Sequence, residues 1–101
     1  MSTSFTPEWL SPSEADVEAF ETLFRDSSAI GATPAGGLHR LAASAEDGAV
    51  RDLFSAWLRE RGFEVRVDAI GNLFGLITFN PDAPYVLCGS HLDSQPSAGR
   101  F

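Results

Sequence analysis

His91 and Asp93 stand two residues apart in the run Gly89-Ser90-His91-Leu92-Asp93-Ser94-Gln95-Pro96, directly after the apolar stretch Tyr85-Val86-Leu87-Cys88. In extended backbone, residues i and i+2 face the same side, so an imidazole and a carboxylate at this spacing can converge. A carboxylate that accepts the proton of one ring nitrogen fixes the tautomer and frees the other nitrogen for a metal ion. The same pair serves equally well as a general base without metal. A satisfied structural histidine, or an aspartate that caps a turn, fits the same spacing. Strand ends in open α/β sheets are where ligands usually bind, yet a lone His-x-Asp is a weak motif, and spacing alone leaves the structural readings ahead.

The other reactive side chains carry weaker signals. His39 follows Gly36-Gly37 in a glycine-rich loop and reads as exposed, with substrate contact as the alternative. Cys88 has no basic neighbour in sequence and reads as packing within an apolar strand, not as a nucleophile. Gly36-Gly37 and Gly71 do not stand between a first strand and a following helix at phosphate-binding spacing, which excludes a nucleotide loop.

The elements that must position His91 and Asp93 follow from periodicity. Ser11-Pro12-Ser13-Glu14 reads as a helix start, with Ser11 as the cap, Pro12 at the first helical position and Glu14 completing a capping box. Val17, Phe20 and Phe24 give that helix, near 12–29, one apolar face, and Gly31 ends it. Residues 31–45 form a loop by composition, either a connector or the lining of a site. A second helix near 46–61 starts at Ser44 with Asp47 three residues on. It carries Val50, Leu53, Phe54, Trp57 and Leu58 as one apolar stripe and ends at Gly62. The stripe is core, with Trp57 mostly buried. Beyond Gly62 the period changes to two. Strands are expected near 63–68, 73–79 and 85–90, the first two joined antiparallel through Ile70-Gly71-Asn72. Residues 1–10 read as an irregular lead-in. The fold class is α/β: two helices, then three strands of an incomplete mixed sheet that expects further chain.

Composition excludes several functions. Seven arginines, no lysine and fourteen carboxylates give a formal charge of -7, and six of the carboxylates fall within the first 26 residues against Arg25 alone. Nucleic acid requires a basic footprint, and an anionic membrane repels an acidic chain. Cys88 is the single cysteine, so no intrachain disulfide forms. The N-terminus lacks the basic-then-apolar pattern of a signal peptide, and a cytoplasmic location is expected.

The stretch Gly89-Ser-His-Leu-Asp-Ser-Gln-Pro-Ser-Ala-Gly-Arg-Phe101 resembles the first metal-site motif of the M20 peptidase superfamily. It is most similar to the branch of N-carbamoyl-L-amino-acid hydrolases, allantoate amidohydrolases and beta-ureidopropionases. Other stretches look like that branch in the same order: Ile30-Gly-Ala-Thr-Pro-Ala-Gly-Gly37, Arg40-Leu-Ala42, Ser44-Ala-Glu-Asp47, the Arg51-Asp52 helix and Val67-Asp-Ala-Ile-Gly-Asn72-Leu-Phe-Gly75.

The resemblance implies a zinc-peptidase-like catalytic domain, of which residues 1–101 are the N-terminal portion, with the lid or dimerisation domain absent. It implies that His91 ligates one of two divalent ions (Zn, Mn, Co or Ni) and that Asp93 orients His91. The family's bridging aspartate would come one residue after Phe101, and its general-base glutamate and remaining ligands further downstream. The complete enzyme, implied to be a homodimer, would cleave the C–N bond of an N-carbamoyl or ureido amino acid, a small-molecule substrate. The rest of the hydrolase, as continuing chain or as a second polypeptide, is the expected partner, and the 101-residue chain alone is expected to be inactive. The alternative is a non-catalytic remnant or binding subunit associated with a larger hydrolase chain. A general aminopeptidase of the superfamily fits less well, given the 31–45 loop and Gln95-Pro96.

Overall fold

The computed structural model describes residues 11–101, and the lead-in over residues 1–10 lies outside the described residues. Two helices, α1 (Glu14–Ala29) and α2 (Ala45–Glu60), precede two short strands, β1 (Glu64–Val67) and β2 (Leu73–Leu76).

The start of α1 lies two residues beyond the expected cap. Ser13 takes the N-cap, where its Oγ accepts from Asp16 N at 3.1 Å while Asp16 Oδ2 accepts from Ser13 N at 2.9 Å. This reciprocal box satisfies two otherwise unpaired donors, which the Ser11–Glu14 pairing does not. Hydrogen bonding from the Ser13 backbone N–H, and then from its side chain, holds the Asp16 carboxyl below the usual aspartate value. The apolar face of α1 is only partly covered: Val17 is 44% exposed and Phe20 65% exposed. Phe24 stacks against both Phe20 and Phe101.

α2 carries the core. Val50 and Leu58 are almost fully buried, and the helix packs on α1 and on both strands. Its N-terminus is half of a box: Ser44 Oγ accepts from Asp47 N, while the Asp47 carboxylate turns to Ala43 N at 2.9 Å. That bond pins Ala43 at a left-handed φ of 65°. At the other end Gly62 N donates to Arg59 O and Phe63 N to Leu58 O, with Gly62 at φ +82°. This pair of bonds is a Schellman motif, and the residue at its turn needs the positive φ that glycine adopts without strain. Trp57 is mostly covered, as its place in the stripe suggests. It stacks on Phe54, Arg61 lies over its ring at 4.1 Å, and its Nε1 is enclosed without an acceptor.

β1 and β2 pair antiparallel in the register Glu64 with Leu76, Val65 with Gly75, Arg66 with Phe74 and Val67 with Leu73. The expected turn closes them. Asp68 accepts from Ile70 N, Asn72 N and Asn72 Nδ2, and Gly71 supplies a φ of +92°. The third expected strand, 85–90, is not formed, and β2 stops at Leu76 instead of Phe79. Val86 is 96% exposed and Leu87 79% exposed. Apolar sequence makes a strand only where a neighbouring backbone pairs its N–H and C=O groups, and among the described residues nothing pairs with 77–90. The observed sheet is therefore two antiparallel strands packed on α2. No helix among the described residues is long and apolar enough to cross a membrane.

Candidate metal centre

The segment that carries His91 and Asp93 is held by the loop that precedes α2. Leu38 N donates to Ala98 O and Ala98 N to Leu38 O, both at 2.8 Å, forming an antiparallel bridge. Arg40 N donates to Ser94 Oγ at 2.8 Å, and Ser94 N returns a bond to Arg40 O at 2.7 Å. The loop approaches so closely that a Cβ on Gly37 would stand 2.2 Å from Ala98 O, which explains glycine there. The 31–45 loop is thus the backing of the site segment, and the connector reading falls.

Within that frame His91 and Asp93 meet. His91 Nδ1 lies 2.8 Å from the main-chain oxygen of Asp93 and 3.3 Å from its Oδ1. Both neighbours of Nδ1 are acceptors, so the neutral ring carries its proton on Nδ1. The Nε2 lone pair is left free on a side chain 79% exposed. The convergence expected from the spacing is present. The shorter contact comes from the Asp93 carbonyl, and the carboxylate stands slightly farther away.

His91 and Asp93 form one wall of an open trough whose other walls are α2, through Asp47, Arg51 and Phe54, and the Ile70–Gly75 segment. Cys88 lines the same trough and is exposed, which corrects its reading as a packed core thiol; the strand that would have buried it is not formed. His39 does not line the trough. Its ring is exposed, while its N–H is engaged with Gly31 O. Among the described residues no three His, Cys, Asp or Glu side chains gather as a metal-binding group. The chemistry of the donors fits a metal through one nitrogen: an exposed Nε2 whose ring is already oriented from Nδ1 is the arrangement that metal-ligating histidines use.

Arg40 and Ser94 are the residues that the spacing argument missed. Arg40 is 6% exposed, and its guanidinium donates to Leu92 O, Ser27 O and Ile30 O. Burial lowers its pKa, while the negative charges of Asp47 and Asp93 draw it back up. The available signal was the arginine itself, the one Arg, Lys, Asp or Glu between Asp26 and Glu46.

No protein-family model matches the chain. A Mycolicibacterium smegmatis protein named as a hydrolase is 73% identical over 73 residues, which cover 72% of this chain and 17% of that protein. An N-carbamoyl-L-amino acid amidohydrolase of Geobacillus stearothermophilus is 47% identical over 73 residues, covering 71% of this chain and 18% of that protein. The crystal structure of a hydantoinase/carbamoylase family amidase from Burkholderia ambifaria superposes with a TM-score of 0.76 at 48% identity, over 84% of this chain and 21% of that one. The chain is similar over most of its length to a part of each of these proteins. It spans about a fifth of the length of the relatives it matches. The two helices and the antiparallel pair are consistent with part of an α/β catalytic domain.

Proposed function

We propose that this chain forms part of an amidohydrolase that cleaves the C–N bond of an N-carbamoyl or ureido amino acid. The observation that carries the reading is the His91–Asp93 pair, a histidine oriented through Nδ1 with Nε2 open, in a chain whose relatives include N-carbamoyl-L-amino acid amidohydrolases.

His91 Nε2 is the atom that would hold a divalent ion, with Asp93 holding the ring. When bound, a pair of such ions (Zn, Mn, Co or Ni) supplies Lewis acidity to the scissile carbonyl. Asp93 accepts the Nδ1–H hydrogen bond, and its carboxylate would offset the positive charge on a metal-bound ring. The trough beside α2 gives the substrate an open approach, and Asp47 and Arg51 line it with charge of both signs. An amino-acid carboxylate and a neutral carbamoyl group are both compatible with such a lining. The remaining ligands and the proton-moving carboxylate come from the rest of the hydrolase, which is the partner proposed for this chain, in a complete enzyme that is a homodimer.

The test is elemental analysis and turnover on the complete polypeptide that contains this chain. Bound divalent metal and hydrolysis of an N-carbamoyl amino acid, both lost on chelation and regained on adding metal, are the expected result. A metal-free protein that hydrolyses the substrate would sink the reading.

A further inference from the structure

We propose that Arg40 is the positioning residue of the His91–Asp93 site: its guanidinium clamps the peptide between those two residues onto the C-terminal end of α1. Nε donates to Leu92 O at 2.8 Å, and Nη1 donates to Ser27 O at 2.7 Å and to Ile30 O at 2.8 Å. Leu92 is the residue between His91 and Asp93, so fixing its carbonyl fixes the peptide plane from which Asp93 departs. Asp93 in turn supplies both acceptors of His91 Nδ1. The backbone of Arg40 tightens the same segment through its two bonds to Ser94.

Three features separate this arrangement from ordinary loop packing. First, the side chain is almost fully buried, yet its polar partners are carbonyl oxygens and not a carboxylate. Burying a guanidinium among neutral acceptors is expensive unless each bond is well formed, so the position holds arginine for its geometry. Second, α1 has no basic residue in its last turn, and Arg40 brings a cation to the carbonyls at that end from outside the helix. Oriented carbonyls at a helix C-terminus favour a positive charge there. Third, the fork of the guanidinium sets the distance between the helix end and Leu92 O. A lysine, with one compact ammonium on a flexible stem, cannot reach both sets of acceptors in that geometry.

The functional consequence rests on the metal-site reading above, whereas the clamp itself is measured without reference to any reaction. The experiment compares Arg40→Lys and Arg40→Met with the parent in the complete protein. Its readouts are hydrogen exchange resolved by segment and the dissociation constant for Zn²⁺ added alone. In Arg40→Met the amides of residues 92–94 are expected to exchange about ten-fold faster or more, while those of α2 stay close to the parent. Zn²⁺ affinity is expected to fall by about ten-fold, the scale seen when support behind a ligand is removed. Arg40→Lys should fall between. Equal loosening of α2 and of 92–94 would make Arg40 a general stabiliser and overturn the proposal. Unchanged exchange at 92–94 would overturn it too, as would unchanged Zn²⁺ affinity once that segment has loosened. If Arg40→Met does not fold, Arg40→Lys carries the same readings, and if neither folds the proposal falls. Turnover of an N-carbamoyl amino acid is read separately. A parent that shows the clamp and binds Zn²⁺ but does not hydrolyse that substrate fails the functional reading and leaves the clamp standing.

Discussion

Leu58 lies so closely across β2 that a Cβ on Gly75 would stand 2.5 Å from its Cδ2 and 3.2 Å from its Cγ. Leu58 is 4% exposed and has little room to withdraw. Gly75 is therefore where α2 meets the sheet, although glycine in a strand ordinarily weakens it. Gly75→Ala should destabilise the protein by about 1–3 kcal/mol, the range for overpacking a filled core. Urea unfolding checks it, and a change near zero would mean that Leu58 repacks freely.

Gly36 and Gly37 are adjacent and should respond for different reasons. A Cβ on Gly37 would meet the Ala98 carbonyl at 2.2 Å, and backbone cannot swing aside as a side-chain tip can. Gly37→Ala should break the Leu38–Ala98 bridge and loosen the 92–98 segment. Gly36 has open space around it but a φ of +85°, so Gly36→Ala should cost only the left-handed penalty of about 1–2 kcal/mol. Hydrogen exchange at Leu38 and Ala98 distinguishes them: protection should be lost in Gly37→Ala and kept in Gly36→Ala.

The β1–β2 turn should carry a pH signature. Asp68 accepts from the Asn72 side chain, the Asn72 backbone and the Ile70 backbone, which holds its carboxyl below the usual value of 3.8. A carboxyl whose folded pKa is depressed contributes stability that is fully present above the unfolded value. That contribution is lost as pH falls through the folded one. The turn should therefore hold at pH 5 and weaken below 3.8, with the loss continuing to the lower folded pKa. Amide signals of Gly71 and Asn72 followed through an acid titration report it. Asp68→Asn should remove this part of the pH dependence.

The helices, the β1–β2 turn and the His91–Asp93 convergence were legible because each is written locally. Capping residues, the switch of period at Gly62 and the two-residue spacing of His91 and Asp93 all act over a few positions. What escaped the sequence depends on distant partners. The stretch 85–88 has the composition of a strand but no backbone to pair with among the described residues, so it forms no strand and stays exposed. The same gap exposes Cys88. Val17 and Phe20 sit on an amphipathic face that is only partly covered. The Arg40 clamp joins residues 52 and 54 positions apart, and no periodicity encodes such a link. At the N-terminus of α1, two serines competed for the cap. The one whose third successor is aspartate won, because only it forms the reciprocal bonds.

His91 and Asp93 should differ in what their loss does. His91→Ala removes the only nitrogen the pair can offer a metal, so in the complete protein it should abolish one metal site and turnover with it. Asp93→Asn keeps the main-chain oxygen that stands 2.8 Å from Nδ1 and changes only the group at 3.3 Å. The ring should therefore keep its tautomer and most of its orientation. What it loses is the negative charge that offsets ligation, and an amide presents a neutral oxygen in its place. The loss in metal affinity or turnover should accordingly lie toward the lower end of the roughly 10–100-fold range for a partner behind a ligating histidine. Elemental analysis beside turnover of an N-carbamoyl amino acid separates the two variants. Full metal content in His91→Ala would remove His91 from the site. An Asp93→Asn protein as inactive as His91→Ala would show that the carboxylate is indispensable and that the Asp93 carbonyl alone does not sustain the site.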